Sequence, residues 1–191
     1  EINEGDWSSD VCSSDLPGMR VRALAEVADA LAQAGVIDEA REIVTIINEP
    51  SSRSRAQSAV IKALVRKGSS DEAVNMLRAA IAEVEGFVSR QDAADCCATL
   101  AAACVDAADL LADSVDAEPA EREQWLGLAR SALVRSWFYG ASVWDRFDVL
   151  LRVAPDLATR LVEERLLADP EPRPGSDPDP EGPGGGAASS R

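Results

Sequence analysis

The chain has 191 residues, 46% of them hydrophobic, with 34 acidic against 19 basic side chains and a formal charge of -15. These totals allow one substantial domain or a short repeat array, and such acidity repels phosphate backbones, so nucleic acid is not an expected partner. Histidine is absent, which removes the commonest general base and metal ligand, and no apolar run approaches the roughly 18 to 20 residues of a spanning helix; the default expectation is a soluble, cytoplasmic protein with no membrane association.

The run Asp10-Val11-Cys12-Ser13-Ser14-Asp15-Leu16 resembles the translation of a common sequencing adapter, and the chain opens on Glu1 rather than Met. Residues 1–16 are therefore expected to be an assembly artefact or a disordered leader, with no role for Trp7 or Cys12. A repeat domain is expected over 17–168. Pro17 suits the first turn of a helix, and Val21, Leu24, Val27, Ala28 and Leu31 share one helical face. Gly35 ends that helix in the left-handed conformation. Asp38 is placed to cap a second helix, which turns Ala40, Ile43, Val44 and Ile47 inward before Asn48-Glu49-Pro50 stops it.

Residues 17–50 thus read as one helical hairpin, and residues 51–86 repeat it. The stretch Gly35…Asp38-Glu39-Ala40 returns as Gly68…Asp71-Glu72-Ala73 at an offset of 33 residues, and Arg22-Ala23 and Ala30-Leu31 return at that offset as Arg55-Ala56 and Ala63-Leu64. In the second unit the first helix turns Ala56, Ala59, Val60, Ala63 and Leu64 inward and ends at Gly68, and Ser69 or Ser70 caps the next. Its second helix buries Ala73, Val74, Leu77, Ala80 and Ile81 before Gly86. Neither hairpin buries its apolar face alone, so the two must stack.

Residues 87–139 read as a third, divergent unit. Cys97, Leu100, Ala101, Cys104, Ala108, Leu111 and Val115 keep one face over a long helix, and Pro119, behind Asp116 and Glu118, starts another through Trp125, Leu128, Ala132, Leu133 and Val134 to about Tyr139. Gly140 breaks it. Residues 140–168 form a cap of two helices, one through Val143, Trp144, Phe147, Leu150 and Leu151, the other opened by Pro155 with Leu157, Leu161, Val162, Leu166 and Leu167. Residues 169–191, rich in Pro and Gly, read as a disordered tail.

Cys97 and Cys104 lie about 10 Å apart along a helix axis, too far for a disulfide, and no Cys-x-x-Cys spacing exists; the thiols are read as small apolar core groups, with no metal site. Paired carboxylates such as Glu26 and Asp29 or Glu163 and Glu164 are read as solvated faces, since nothing marks the cleft that acid or base work requires. Gly184-Gly185-Gly186 lacks the Lys-Ser/Thr of a phosphate-binding loop. No catalytic residue and no cofactor is expected. Six of the eight aromatic residues are Trp125, Trp137, Phe138, Tyr139, Trp144 and Phe147; they close the end of the core, although one helix face cannot bury the run Trp137-Phe138-Tyr139 entirely.

Ala28, Gly35 and Asp38-Glu39-Ala40, then Gly68 and Asp71-Glu72-Ala73, give residues 20–86 a pattern that resembles tetratricopeptide-type repeats. The period here is 33 residues, the family's aromatic positions are aliphatic (Leu24, Leu31, Leu64) or polar (Gln57), and Ile61 replaces a small residue. The resemblance implies an all-α fold of stacked antiparallel helical hairpins, an α-solenoid with a divergent C-terminal cap. It also implies a concave groove lined by the first helix of each unit. Carried over by position, that groove comprises Arg22, Ala25, Asp29, Ala32 and Gln33, then Arg55, Ser58, Lys62, Val65 and Arg66. Four of these side chains are basic, a stripe suited to an acidic peptide or a terminal carboxylate. The function expected is a non-catalytic scaffold for protein or peptide partners. The composition also resembles the repeat arms of large bacterial signalling ATPases, so the alternatives are a sensor arm whose catalytic domain lies upstream in a longer natural chain, or an enzyme on a helical-repeat fold.

Overall fold

A computed structural model describes residues 16–114 and 118–167. The expectations for the leader, for Val115 and Asp116, for the side chains of Leu166 and Leu167, and for the tail fall outside what is described. Among the described residues the secondary structure is entirely helical: α1 (Leu16–Gln33), α2 (Ile37–Ile46), α3 (Pro50–Arg66), α4 (Ser70–Val84), α5 (Arg90–Ala112), α6 (Pro119–Tyr139), α7 (Phe147–Val153) and α8 (Pro155–Val162), followed by a π-helical turn over Glu163–Leu167. None of these helices is long and apolar enough to cross a membrane.

Backbone chemistry explains where the helices stop. Gly35 and Gly68 both sit at φ 80°, and Gly140 at φ 111°, a region in which a side chain is disfavoured. At each, the glycine amide and the next amide fold back onto carbonyls of the last helical turn: Gly35 to Ala32 (3.1 Å) and Val36 to Leu31 (2.9 Å), Gly68 to Val65 (2.9 Å) and Ser69 to Leu64 (2.9 Å), Gly140 to Trp137 (3.0 Å) and Ala141 to Ser136 (3.1 Å). The same closure, repeated in α1 and α3, satisfies carbonyls that would otherwise be orphaned.

Helix starts are less uniform than expected. Pro50, Pro119 and Pro155 each occupy the first turn of a helix, where a missing amide hydrogen costs nothing. Asp38 does not cap α2: the helix begins two residues earlier, with Val36 at the cap, and Asp38 and Glu39 lie in its first turn, facing the positive end of the helix dipole. Ser69 occupies the cap of α4, but its hydroxyl makes no capping bond; Asp71 and Glu72 again supply the first-turn charge. Side chains do cap α3, through Glu49, and α5, through Ser89, which accepts from the Asp92 amide at 3.2 Å.

α3 is the hub of the packing. It lies against α1, α2, α4 and α5, while α1 packs on α2 and α3, and α5 runs along α6 over most of its length. α3 accordingly buries more than the expected stripe: besides Ala56, Ala59, Val60, Ala63 and Leu64, the residues Ser52, Ser54, Gln57, Ser58, Ile61 and Val65 are buried. The inward residues expected of α4 and, within the described residues, of α5 are buried as well. In α1 the buried residues are Ala25, Ala28 and Ala32, with Val21, Leu24 and Leu31 partly covered, and Val27 points outward. Val134, Leu151 and Leu157 are likewise exposed. Val143 and Trp144 precede α7 instead of belonging to it.

The aromatic residues divide as one helix face requires. Trp125 is fully buried, while in the run 137–139 only Phe138 is largely exposed, at 73%, with Trp137 and Tyr139 half-covered. Phe138 meets the Tyr139 ring edge-on at 5.5 Å, and Trp144 lies against Phe147 at 5.2 Å. The indole nitrogens of Trp125 and Trp137 and the hydroxyl of Ser136 find no hydrogen-bond partner among the described residues.

Candidate peptide-binding cleft

Helical periodicity decides which side chains of α3 escape burial. Arg55, Lys62 and Arg66 recur at nearly whole turns along one side of α3, on which Arg55 and Arg66 are exposed and Lys62 is half-buried. On α1 the same side carries Arg22, Asp29 and Gln33. Ala25, Ala32 and Val65, also expected along the groove, pack into the core at 2%, 3% and 4% exposure, because they fall on the side of each helix that meets the next one.

Two clefts adjoin along this surface. The larger, about 750 Å³, is lined by Val21, Arg22 and Glu26 of α1 and by Glu49, Ser52 and Arg55 at the start of α3. A smaller one, about 210 Å³, lies between Asp29 of α1, Arg55, Ser58 and Lys62 of α3, Thr99 and Asp106 of α5, and Arg146. Arg55 lines both, so its side chain is a wall common to the two. Arg22, Asp29, Arg55, Ser58 and Lys62 are thus brought together. Gln33 is not a lining residue of either cleft; its amide donates to Asp29 Oδ2 at 2.9 Å and holds that carboxylate from the side.

Arg66 stands apart from these residues. It lines a separate cleft of about 450 Å³ with Val65, Leu110, Asp113, Ser114 and Glu121, because one more turn carries it past the end of the α1–α3 contact toward the far end of α5. The expected stripe of four bases is therefore interrupted. It is also partly neutralised. Lys62 Nζ donates to Asp106 Oδ2 at 3.3 Å, and Glu26 and Glu49 stand beside Arg22 and Arg55 in the larger cleft. Ser58 is 7% exposed and donates its hydroxyl to the Ser54 carbonyl at 2.8 Å, so it shapes the floor of the small cleft more than it offers a donor.

Residues outside the expected set complete the site. Thr99 and Asp106 come from α5 and were reachable by extending the expected groove positions past residue 86. Arg146 lies in the connection between α6 and α7, and no helical spacing could place it there. Arg55 and Arg146 form no ion pair among the described residues.

The cysteines lie apart from this surface. Cys96, Cys97 and Cys104 are buried and unpaired. Burial pushes the Cys97 thiol up to about 11 and the Cys104 thiol up to about 12, and raises Cys96, where nearby carboxylates add to burial and the Ser54 hydroxyl opposes it. Cys96 Sγ donates to the Pro50 carbonyl at 3.4 Å. These thiols behave as packing groups, neutral over the physiological range.

Comparison of the chain with known protein families, with curated proteins and with solved structures gives no match.

Proposed function

We propose that this chain is a non-catalytic, cytoplasmic scaffold of stacked helical hairpins, tetratricopeptide-like in design, that holds an acidic segment of a partner protein in the cleft between α1, α3 and α5. The observation that carries the reading is the position of Arg55. It lines both clefts on a protein of formal charge -15 and makes no ion pair among the described residues. The packing order supports the same reading, for α1, α3 and α5 lie side by side with α2 and α4 packed against them, which is how consecutive hairpins stack. An extended peptide laid along the larger cleft reaches the small one at Arg55, where Lys62 and Arg146 add two further donors.

The test is fluorescence anisotropy with an Asp/Glu-rich peptide ending in a free carboxylate. Arg55→Glu combined with Lys62→Glu is expected to weaken binding on the order of tenfold, about 1.4 kcal/mol. Arg66→Glu, in the separate cleft, is expected to leave it within about twofold, and added salt should weaken wild-type binding. Equal losses from both variants would show that general surface charge, not the cleft, holds the peptide.

A further inference from the structure

A further pocket adjoins the small cleft. About 300 Å³ in volume, it lies between α5 and α7 and has Ala102 and Asp106 as a wall common with that cleft. Much of its lining is apolar. Val105 and Val149 belong to the core, at 6% and 2% exposure, whereas Leu151 lies open at 47%. Of its carboxylates, Asp106 is paired with Lys62 Nζ at 3.3 Å and Asp109 with Arg152. Asp148 is exposed and makes no ion pair among the described residues. Polarity therefore reverses across the common wall. The small cleft sets Arg55, Lys62 and Arg146 against two carboxylates, and the pocket sets three carboxylates against Arg152. Arg146 and Asp148, one on each side, are two residues apart in the chain, so their α-carbons lie within about 7 Å of each other.

Resting on the cleft proposed above, we infer that the pocket takes a lysine or arginine side chain of the same bound segment, so that the partner segment is mixed in charge: an acidic group for Arg55, Lys62 and Arg146, and a basic one a few residues away for Asp148. The two kinds of lining define this occupant. A long basic side chain lays its stem on apolar surface and keeps its charged head in water; here Val105, Val149 and Leu151 receive the stem and the exposed Asp148 meets the head. An acidic side chain is repelled by three carboxylates against one guanidinium. A purely apolar one uses the walls and leaves Asp148 without a counter-charge. The spacing follows from backbone geometry. In an extended segment residues i and i+2 project to the same side, about 7 Å apart, which is the reach between Arg146 and Asp148; longer side chains extend it to about four residues.

The probe is a set of labelled Gly/Ser peptides built around one Glu-Glu pair, with lysine, norleucine or alanine two, three or four residues to either side, titrated into the full chain by fluorescence anisotropy. Lysine at one of these places is expected to tighten binding about fivefold over alanine. Norleucine, which keeps the stem and lacks the charge, should fall about threefold short of lysine, the worth of an exposed ion pair. Asp148→Asn should abolish that difference between lysine and norleucine, and an unaltered melting transition verifies that the variant folds. In the unaltered chain, methyl signals of Val149 and Leu151 should shift with the lysine peptide and not with its alanine counterpart. Lysine no better than alanine at every spacing overturns the inference; if Arg55→Glu with Lys62→Glu still weakens the alanine peptide, the cleft reading survives it. Lysine equal to norleucine also overturns it, by making an aliphatic side chain the occupant. No binding of any peptide, or binding indifferent to Arg55→Glu with Lys62→Glu, overturns the cleft reading and this pocket's role with it.

Discussion

Glu49 shows how much one residue does at the start of the hub helix. Its carboxylate accepts from the Ser51 amide at 3.0 Å, the Ser52 amide at 2.6 Å and the Ser51 hydroxyl at 2.6 Å, capping α3 where Pro50 leaves no amide to satisfy. Partial burial alone would push this carboxyl up, but the hydrogen bonds from Ser51 and Ser52 together outweigh it and bring it from 4.5 down to about 2. The sign follows from the depressed value. Above about 4.5 the group is ionised whether folded or unfolded and its contribution is complete; the contribution is lost as pH falls toward 2. Glu49→Ala is expected to cost about 1 kcal/mol at pH 7, the usual worth of a cap; solvent reaches the carboxylate and keeps the figure modest. Urea denaturation of both proteins checks it, and the gap should close between pH 4.5 and 2. A gap that persists at pH 2 would mean that the side chain acts by packing. In the sequence, Asn48-Glu49-Pro50 reads as the stop of one helix, and the cap goes unseen because glutamate is a poor capping residue in general. Only the two serines that follow make it one.

α5 is buried over much of its circumference, and its thiols give that burial a chemical readout. With Cys104 moved from 9.0 to about 12, its thiolate fraction at pH 8 falls about a thousandfold, before any loss of access is counted. In a Cys12→Ser variant, no thiol is expected to react with Ellman's reagent at pH 8 in the native state, and all three should react in denaturing urea. A rapid native reaction would place α5 nearer the surface than its packing on α3 and α6 requires. The reading of these cysteines as core groups came from spacing alone, and the stripes of α3, α4 and α5 were equally legible, because a helix between other helices repeats its apolar residues at the helical period. Legibility fails where a helix has neighbours on one side only. Val27, Val134, Leu151 and Leu157 fit an apolar period and yet lie outside, since periodicity marks a face without saying whether anything covers it. For the cleft, Arg22, Asp29, Arg55 and Lys62 follow from the groove positions that the tetratricopeptide resemblance implies, whereas Arg146 lies in a connection whose course no period describes.

At the scale of the whole molecule, cohesion runs through α3 and α5. The ion pairs that join different helices, Arg41–Glu72, Arg53–Glu83, Lys62–Asp106 and Arg152–Asp109, have partly exposed side chains that solvent screens, and contribute about 0 to 1 kcal/mol each. Apolar burial must do most of the coupling, and it is unevenly spread. Leu64 of α3 and Leu100 of α5 are buried to 1% and 0% exposure, while α8 buries Ala158 alone. Exchange of backbone amides should follow that order, slowest in α3 and α5 and fastest in α8. Leu64→Ala is expected to cost about 2–5 kcal/mol, the range for a buried leucine that leaves a cavity. Because α3 touches both hairpin neighbours, the loss of protection should extend over α1 to α5 and not stop at the α3–α4 pair. Hydrogen exchange followed by mass spectrometry separates the two cases. Loss confined to α3 and α4 would mean that each hairpin opens alone, and that the contacts between α1, α3 and α5 are too weak to hold a cleft in shape.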